Sequence, residues 1–268
     1  MPPAHPPLPS LFNHCNLSPW ALASWEFQDD PRPVELGDVR LTDRRLWAQL
    51  AATEDPAERG RVFHDYVSVK FRLHEWTEAS GPARACLRHS YLHSLRNWGV
   101  DSNGPSGAAL KAWVESRFGL RATYHGGRLA SDPEARARFA ADHMRGAGRT
   151  ANLPMQLDLL YTFCQGELAR RHPDKRWLTL YRGTHDPEEY AVRDAPRRDG
   201  RLLVSLNNLS SFTADPEVAW EFGSSVWEVP VPLAKIAFFN GLLPPSILQG
   251  EAEYLVLGGE YHVRPLTG

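Results

Sequence analysis

Apolar positions along the chain follow two different periods, and the change falls near residue 172. From about residue 42 to that point, apolar residues recur at three- and four-residue spacing in helix-length segments separated by Gly, Pro and Asn. The spacing predicts a helix from Pro56 towards Trp76, a second from Ala83 to Trp98 ending before Gly99, and a third from Pro105 to Phe118 stopping at Gly119. Ser131-Asp132-Pro133-Glu134 combines a cap residue, a first-turn proline and an acid at the positive dipole end, and so starts a helix that continues to Met144. Asn152-Leu153-Pro154 opens the last long helix, whose Leu157, Leu160, Tyr161, Cys164 and Leu168 form a buried stripe.

Past His172-Pro173 the period becomes two, and strands are expected at Trp177 to Tyr181, Leu202 to Leu206, Val226 to Val231, Ile236 to Phe239 and Glu253 to Leu257. One short helix, Pro216 to Phe222, interrupts them, with Thr213 and Asp215 as capping candidates. Ahead of all this, Pro6, Pro7, Pro9, Pro19, Pro31 and Pro33 break the first 40 residues into an irregular arm. The arm carries Leu11, Phe12, Leu17, Trp20, Trp25 and Phe27, enough apolar weight to lie packed across the body. Helices followed by strands give an α+β chain with an arm at 1–40, a helical region at 41–172 and a β-rich part at 173–268.

Composition narrows the classes of function. At 268 residues, with 42% hydrophobic and 23% charged positions, the chain suits a folded globular protein with its own core. Its formal net charge of -2 supplies no global field for nucleic acid or anionic membrane. Of the 30 basic residues only Lys70, Lys111, Lys175 and Lys235 are lysine, and the arginines are scattered, so no nucleic-acid stripe stands out. No stretch approaches the length of a membrane span, and the first residues lack the pattern of a secretion signal. Cys15, Cys86 and Cys164 are odd in number and far apart, which fits a reducing cytoplasm. His89 and His93 have metal-compatible spacing but no H-E-x-x-H, and a polar helix face is the commoner meaning, so no metal site is expected. Gly104-Pro105-Ser106-Gly107 and Gly126-Gly127 lack the context of a phosphate loop and read as turns.

Three clusters in the β-rich part could carry chemistry. Glu251 and Glu253 stand two apart at the start of a strand, which puts both carboxylates on one face together with Leu255 and Leu257. A solvated outer face is the usual meaning of E-x-E, but here the acids adjoin a buried surface. Tyr181-Arg182-Gly183-Thr184 closes a strand with a guanidinium suited to phosphate, an aromatic for stacking and a glycine that opens the backbone to close approach. A strand-end salt bridge explains that tetrad as well. Ser210-Ser211-Phe212-Thr213 precedes a helix, where hydroxyls also serve simply as caps.

In this order the clusters resemble the R-S-E class of mono-ADP-ribosyltransferases. In that class a strand-end Arg binds the NAD phosphates, a Ser-x-Ser/Thr strand supports the site, and a Glu-x-Glu begins a later strand. The matching positions are Arg182, Ser211-Phe212-Thr213, and Glu251 with Glu253, the departure being Phe212 in the middle of the second element. Residues 241–250 look like the class's turn-turn loop for recognising the acceptor. Phe12 to Leu17 and the helix at Asn152-Leu153-Pro154 extend the likeness to the branch that modifies dinitrogenase reductase in nitrogen-fixing bacteria. The resemblance implies a mostly antiparallel β-sandwich NAD-binding core of ADP-ribosyltransferase type, with NAD as substrate. Tyr181, Arg182, Gly183, Thr184, Ser211 and Thr213 would contact NAD. Glu253, Glu251 and Ser211 would be catalytic, with Glu253 stabilising an oxocarbenium-like ribose and Glu251 taking a proton from the acceptor guanidinium. It implies dinitrogenase reductase as protein substrate, a reversible block of nitrogen fixation, and control through a PII signalling protein. Another protein arginine as target, or a non-catalytic NAD sensor, are the alternatives.

Overall fold

Proline in the first turn marks the start of six of the ten described helices, and in five of these a polar residue precedes the helix. The computed structural model describes residues 13–73, 90–147, 152–185, 187, 190, 192, 200–248 and 253–266. Among these, the helices are α1 (Pro19–Ala23), α2 (Glu26–Asp29), α3 (Val39–Thr42), α4 (Arg44–Ala52), α5 (Pro56–Lys70), α6 (Tyr91–Val100), α7 (Pro105–Phe118), α8 (Pro133–Ala147), α9 (Leu153–Arg171) and α10 (Pro216–Glu221). Asp55 caps α5 by accepting from Glu58 N at 2.7 Å, and Asp132 caps α8 by accepting from Glu134 N at 2.9 Å. Gly119 ends α7 in the left-handed region at φ 68°, as its position after Phe118 predicts.

Several boundaries differ from the sequence expectation, each for a local reason. Helix α5 stops at Lys70 because Arg72 adopts φ 57°. The expected continuation to Trp76, Cys86 and the stretch from Ala83 to His89 lie outside the described residues. Helix α6 passes through Gly99 to Val100 rather than ending before it. The arm is not wholly irregular, since it contains α1, α2 and the start of α3.

The strands are β1 (Trp177–Thr184), β2 (Leu202–Thr213), β3 (Ser225–Pro232), β4 (Ile236–Phe239) and β5 (Glu253–Leu266). All their pairings are antiparallel, so the molecule is a mixed α+β fold. The order β2-β1-β3-β5-β4 carries an additional β2–β5 pairing, which makes β2, β1, β3 and β5 a closed circuit. Strand β5 outruns its expected end at Leu257 because its two glycines accommodate a neighbour rather than break it. A Cβ on Gly258 would lie 1.8 Å from the Asn207 carbonyl, beside the register shift between Leu206 and Leu209 in β2. Gly259, at φ 111°, leaves room for the Ala23 carbonyl of α1.

One buried apolar cluster runs from Leu22 and Phe27 in the arm through Phe63, Trp113 and Phe163 in the helices to Trp227, Val256 and Tyr261 in the sheet. Gln28 ties the arm down. Its Nε2 donates to Pro230 O and His262 O at 3.1 Å each, and its Oε1 accepts from His262 N at 2.7 Å.

A buried ion pair joins α5 to α9. Arg59 Nη2 donates to Glu167 Oε2 at 2.8 Å, and the two residues are 4% and 2% exposed. Burial makes the pair expensive to break, because either partner alone is an uncompensated charge. Arg59→Met is expected to lower unfolding stability by about 3–5 kcal/mol, measured by urea denaturation. A loss within about 0.5 kcal/mol, the range of neutral surface changes, would show that the pair is dispensable.

Candidate active site

Trp98 and Glu253 meet on a single hydroxyl, that of Ser211. Trp98 Nε1 donates to Ser211 Oγ at 2.8 Å, and Ser211 Oγ donates to Glu253 Oε1 at 2.6 Å. An indole N–H is a donor only, so it takes a lone pair of the hydroxyl and leaves the serine proton for the carboxylate. The direction of both bonds is therefore fixed, with Glu253 as the acceptor. Antiparallel register produces this contact: Ser211 stands opposite Leu255 and Thr213 opposite Glu253, so Ser211 and Glu253 are diagonal neighbours on one face. Helix α6 supplies Trp98 and passes its next residue, Gly99, beside the other carboxylate oxygen. A Cβ there would lie 4.0 Å from Glu253 Oε2.

Arg182 reaches the same serine from β1. Its Nη1 donates to the Ser211 carbonyl at 2.8 Å, and its guanidinium lies 5.9 Å from the centroid of Phe212. Arg182 Nε is buried without a hydrogen-bond partner among the described residues. A buried guanidinium N–H with no acceptor suits an anionic ligand. The unexpected Phe212 is the aromatic face beneath this cation.

A cavity of about 520 Å³ opens beside Trp98, Arg182 and Ser211, with Glu253 reached through its bond to Ser211 rather than in the lining. Trp98, Lys111, Tyr124, Arg182, Asn207 and Ser211 are among its lining residues. Its volume lies within the range of small-molecule sites. A larger cavity of about 860 Å³ lies between the arm and α9, away from Arg182, Ser211 and Glu253. The chemistry, rather than the size, selects the first.

The bulge in β2 shapes the far wall. Asn207 Oδ1 accepts from Thr123 N at 2.9 Å, its Nδ2 donates to Tyr124 O at 3.0 Å, and Asn208 Nδ2 donates to the carbonyls of Lys111 and Leu120. Lys111 is 1% exposed, and burial pushes its amine down to about 8, with Asp101 acting in the opposite direction.

The other anticipated residues divide. Tyr181 pairs with Thr213 at the β1–β2 contact, which brings the Tyr-Arg and Ser-Phe-Thr clusters together. Arg182 does not end its strand, which continues to Thr184. The space a Cβ on Gly183 would need is taken by the Ala219 carbonyl of α10 at 2.1 Å, so this glycine admits a helix end. Thr184 is buried at 6% exposure and packs on Gly223. Thr213 Oγ1 accepts from Asp215 N at 3.1 Å, a turn contact ahead of α10 whose N-cap is Asp215. Glu251 lies outside the described residues.

Sequence reasoning missed Trp98, Lys111 and the Asn207-Asn208 pair. Trp98 and Ser211 are 113 positions apart, and no local pattern links them. Lys111 did leave a trace, as a lone charge within Ala108-Ala109-Leu110-Lys111-Ala112-Trp113-Val114. Among the described residues no group of three or more His, Cys, Asp and Glu gathers as a metal site, and no helix is long and apolar enough to cross a membrane.

Residues 12–265 match the family model described as dinitrogenase reductase ADP-ribosyltransferase. A protein of Rhodospirillum rubrum named NAD(+)--dinitrogen-reductase ADP-D-ribosyltransferase is 38% identical over 250 residues, covering 91% of this chain and 90% of its own length. No solved structure matches the chain.

Proposed function

The chain belongs to the dinitrogenase reductase ADP-ribosyltransferase family, and on that premise we propose that it transfers ADP-ribose from NAD to an arginine of dinitrogenase reductase. It is an NAD-dependent transferase, with NAD consumed as substrate. The observation that carries the reading is the Ser211–Glu253 hydrogen bond at 2.6 Å, with Trp98 donating to the same hydroxyl. A carboxylate so held keeps its position without reorganising during reaction.

Each group then has a task. Arg182 supplies its buried, unpartnered Nε–H and its charge to the diphosphate. As the nicotinamide–ribose bond breaks, positive charge develops at the ribose, and Glu253 stabilises it. Ser211 and Trp98 fix the carboxylate's orientation. Glu251 takes the proton from the incoming guanidinium, which is too basic to attack while protonated. Residues 241–250 present the acceptor, and a bulky anionic adduct on dinitrogenase reductase blocks its complex by sterics and desolvation.

We read the closed antiparallel circuit as the NAD-binding sandwich core of the ADP-ribosyltransferase type, spanning 173–268, with 41–172 as its helical partner and 1–40 as a packed arm. Control by a PII signalling protein, reversal of the modification and a cytoplasmic setting follow from the family resemblance. No observation favours the NAD-sensor alternative, for which a carboxylate held by serine and tryptophan has no use.

The test is transfer of label from radiolabelled NAD to purified dinitrogenase reductase. Glu253→Gln is expected to lower transfer by at least about 10³-fold while NAD affinity stays within severalfold. Glu251→Gln is expected to lose arginine transfer and keep NAD hydrolysis. Near wild-type transfer by Glu253→Gln would remove that carboxylate from the mechanism, and label on other proteins but not on the reductase would discard the partner. Trp98→Phe keeps the ring and deletes the donor, so kcat should fall about tenfold with KM for NAD little changed; an unaltered kcat would count against a positioning role.

A further inference from the structure

Nothing in α7 itself calls for a lysine at position 111. The helix is buried from Ser106 to Val114, and a charge there is costly unless an anion meets it. Among the described residues no carboxylate bonds the amine. Its Nζ donates to Tyr124 O at 3.0 Å and Asn103 Oδ1 at 3.1 Å, and lies 3.4 Å from His125 Nδ1 and 5.9 Å from the Trp98 ring centroid. Behind it, fully buried His125 places Nε2 3.2 Å from Asp142 Oδ2. Burial depresses the imidazole pKa, and the Asp142 contact offsets this in part. The neutral ring donates from Nε2 to Asp142 and turns the Nδ1 lone pair to the lysine.

Lys111 also faces the cavity that Arg182 lines. The described lining includes Lys111 and Arg182 and no carboxylate, a balance suited to a ligand with two negative charges. Resting on the transferase reading above, we propose that Lys111 is the second cation of the NAD site, binding the diphosphate from α7 while Arg182 binds it from β1. The His125 contact is the longest of the three and is the one a phosphate oxygen displaces. The other two keep the amine on the wall where the Asn103 turn and the 123–128 loop meet.

Charged and titratable groups reach Lys111 from every side. Asp101 comes from the turn before α7, His125 and Arg128 from the following loop, Asp142 from α8 behind His125, and Arg182 from β1. Burial holds the His125 imidazole below its ordinary range. The amine, which burial pushes down to about 8, titrates between pH 7 and 9. Protonated at the lower end and neutral at the upper, it binds the diphosphate less well as pH rises.

Calorimetric titration with NAD at about pH 7 and about pH 9, alongside transfer kinetics, tests this. Wild type should lose about five- to tenfold in affinity across the interval. Lys111→Met should bind roughly tenfold more weakly at pH 7, show no such pH dependence, and keep kcat within about threefold. Equal affinity and an unchanged pH slope in Lys111→Met would overturn the proposal while leaving the transferase reading intact. Absence of NAD binding from wild type would overturn both. Should Lys111→Met fail to fold, Asp101→Asn decides. It retains an acceptor for Asn103 N, now 2.8 Å from Asp101 Oδ1, and removes the charge that raises the amine's pKa. The midpoint of the affinity loss should then move to lower pH, and a midpoint that stays put would overturn the assignment.

Discussion

A serine hydroxyl has one proton to give, and an indole has no lone pair to receive it. Once Trp98 Nε1 donates to Ser211, that proton goes to Glu253. The rest of the site depends on this direction. It draws α6 onto the β2–β5 pair, so the helical region supplies part of the carboxylate's support rather than sitting apart from the sheet. It also leaves the Ser211 carbonyl, on the same residue, as the acceptor for Arg182. One residue in β2 thus couples Arg182, Glu253 and a tryptophan from the helical region.

Two lysines are buried in this molecule, and their surroundings give them different meanings. Lys235 is fully buried and donates to Gly258 O at 3.0 Å, with its Nζ 4.3 Å from the Tyr261 ring centroid. Burial pushes its amine down to about 7, so neutralisation relieves part of the desolvation cost. It faces aromatic rings and the glycine pair of β5, and works as a packing element. Lys111 faces a cavity shared with two arginines. Burial alone does not distinguish a structural cation from a binding one; the space in front of the amine does.

The parts of the fold legible in the sequence were those dictated by local chemistry. Pro105 and Gly119 bound α7, Asp132 and Pro133 start α8, and Ile236 to Phe239 is β4 as its pattern predicts. Glycine misled wherever it served a neighbour rather than its own backbone. Gly99 read as a stop inside a helix, and Gly258-Gly259 hid nine further residues of β5 by making room for the Asn207 and Ala23 carbonyls. Arg182, Ser211 and Glu253 carried a motif, and the register of β1, β2 and β5 brings them together. Trp98 and Lys111 carried none, because their partners come from tertiary packing over long sequence separations.

Residues 240–248, ahead of β5, are braced in a way that, on the proposed reading, bears on how an acceptor is met. Gly241 O accepts from Arg171 Nη2 at 2.9 Å, and Ile247 O accepts from Arg96 Nη2 at 2.8 Å. Leu242, Leu243 and Leu248 are buried, and Pro244 packs so tightly on α5 that a Cβ at Gly60 would lie 2.7 Å from its Cδ. Asn240 N donates to Glu253 O at 2.8 Å, tying the start of this segment to β5 itself. A segment held from α5, α6 and α9 loses little conformational entropy when a partner docks on it. On the proposed reading, the acceptor arginine is therefore offered to a preformed edge. On that reading, selectivity comes from how well the partner's surface fits residues 240–248 as the helical region holds them.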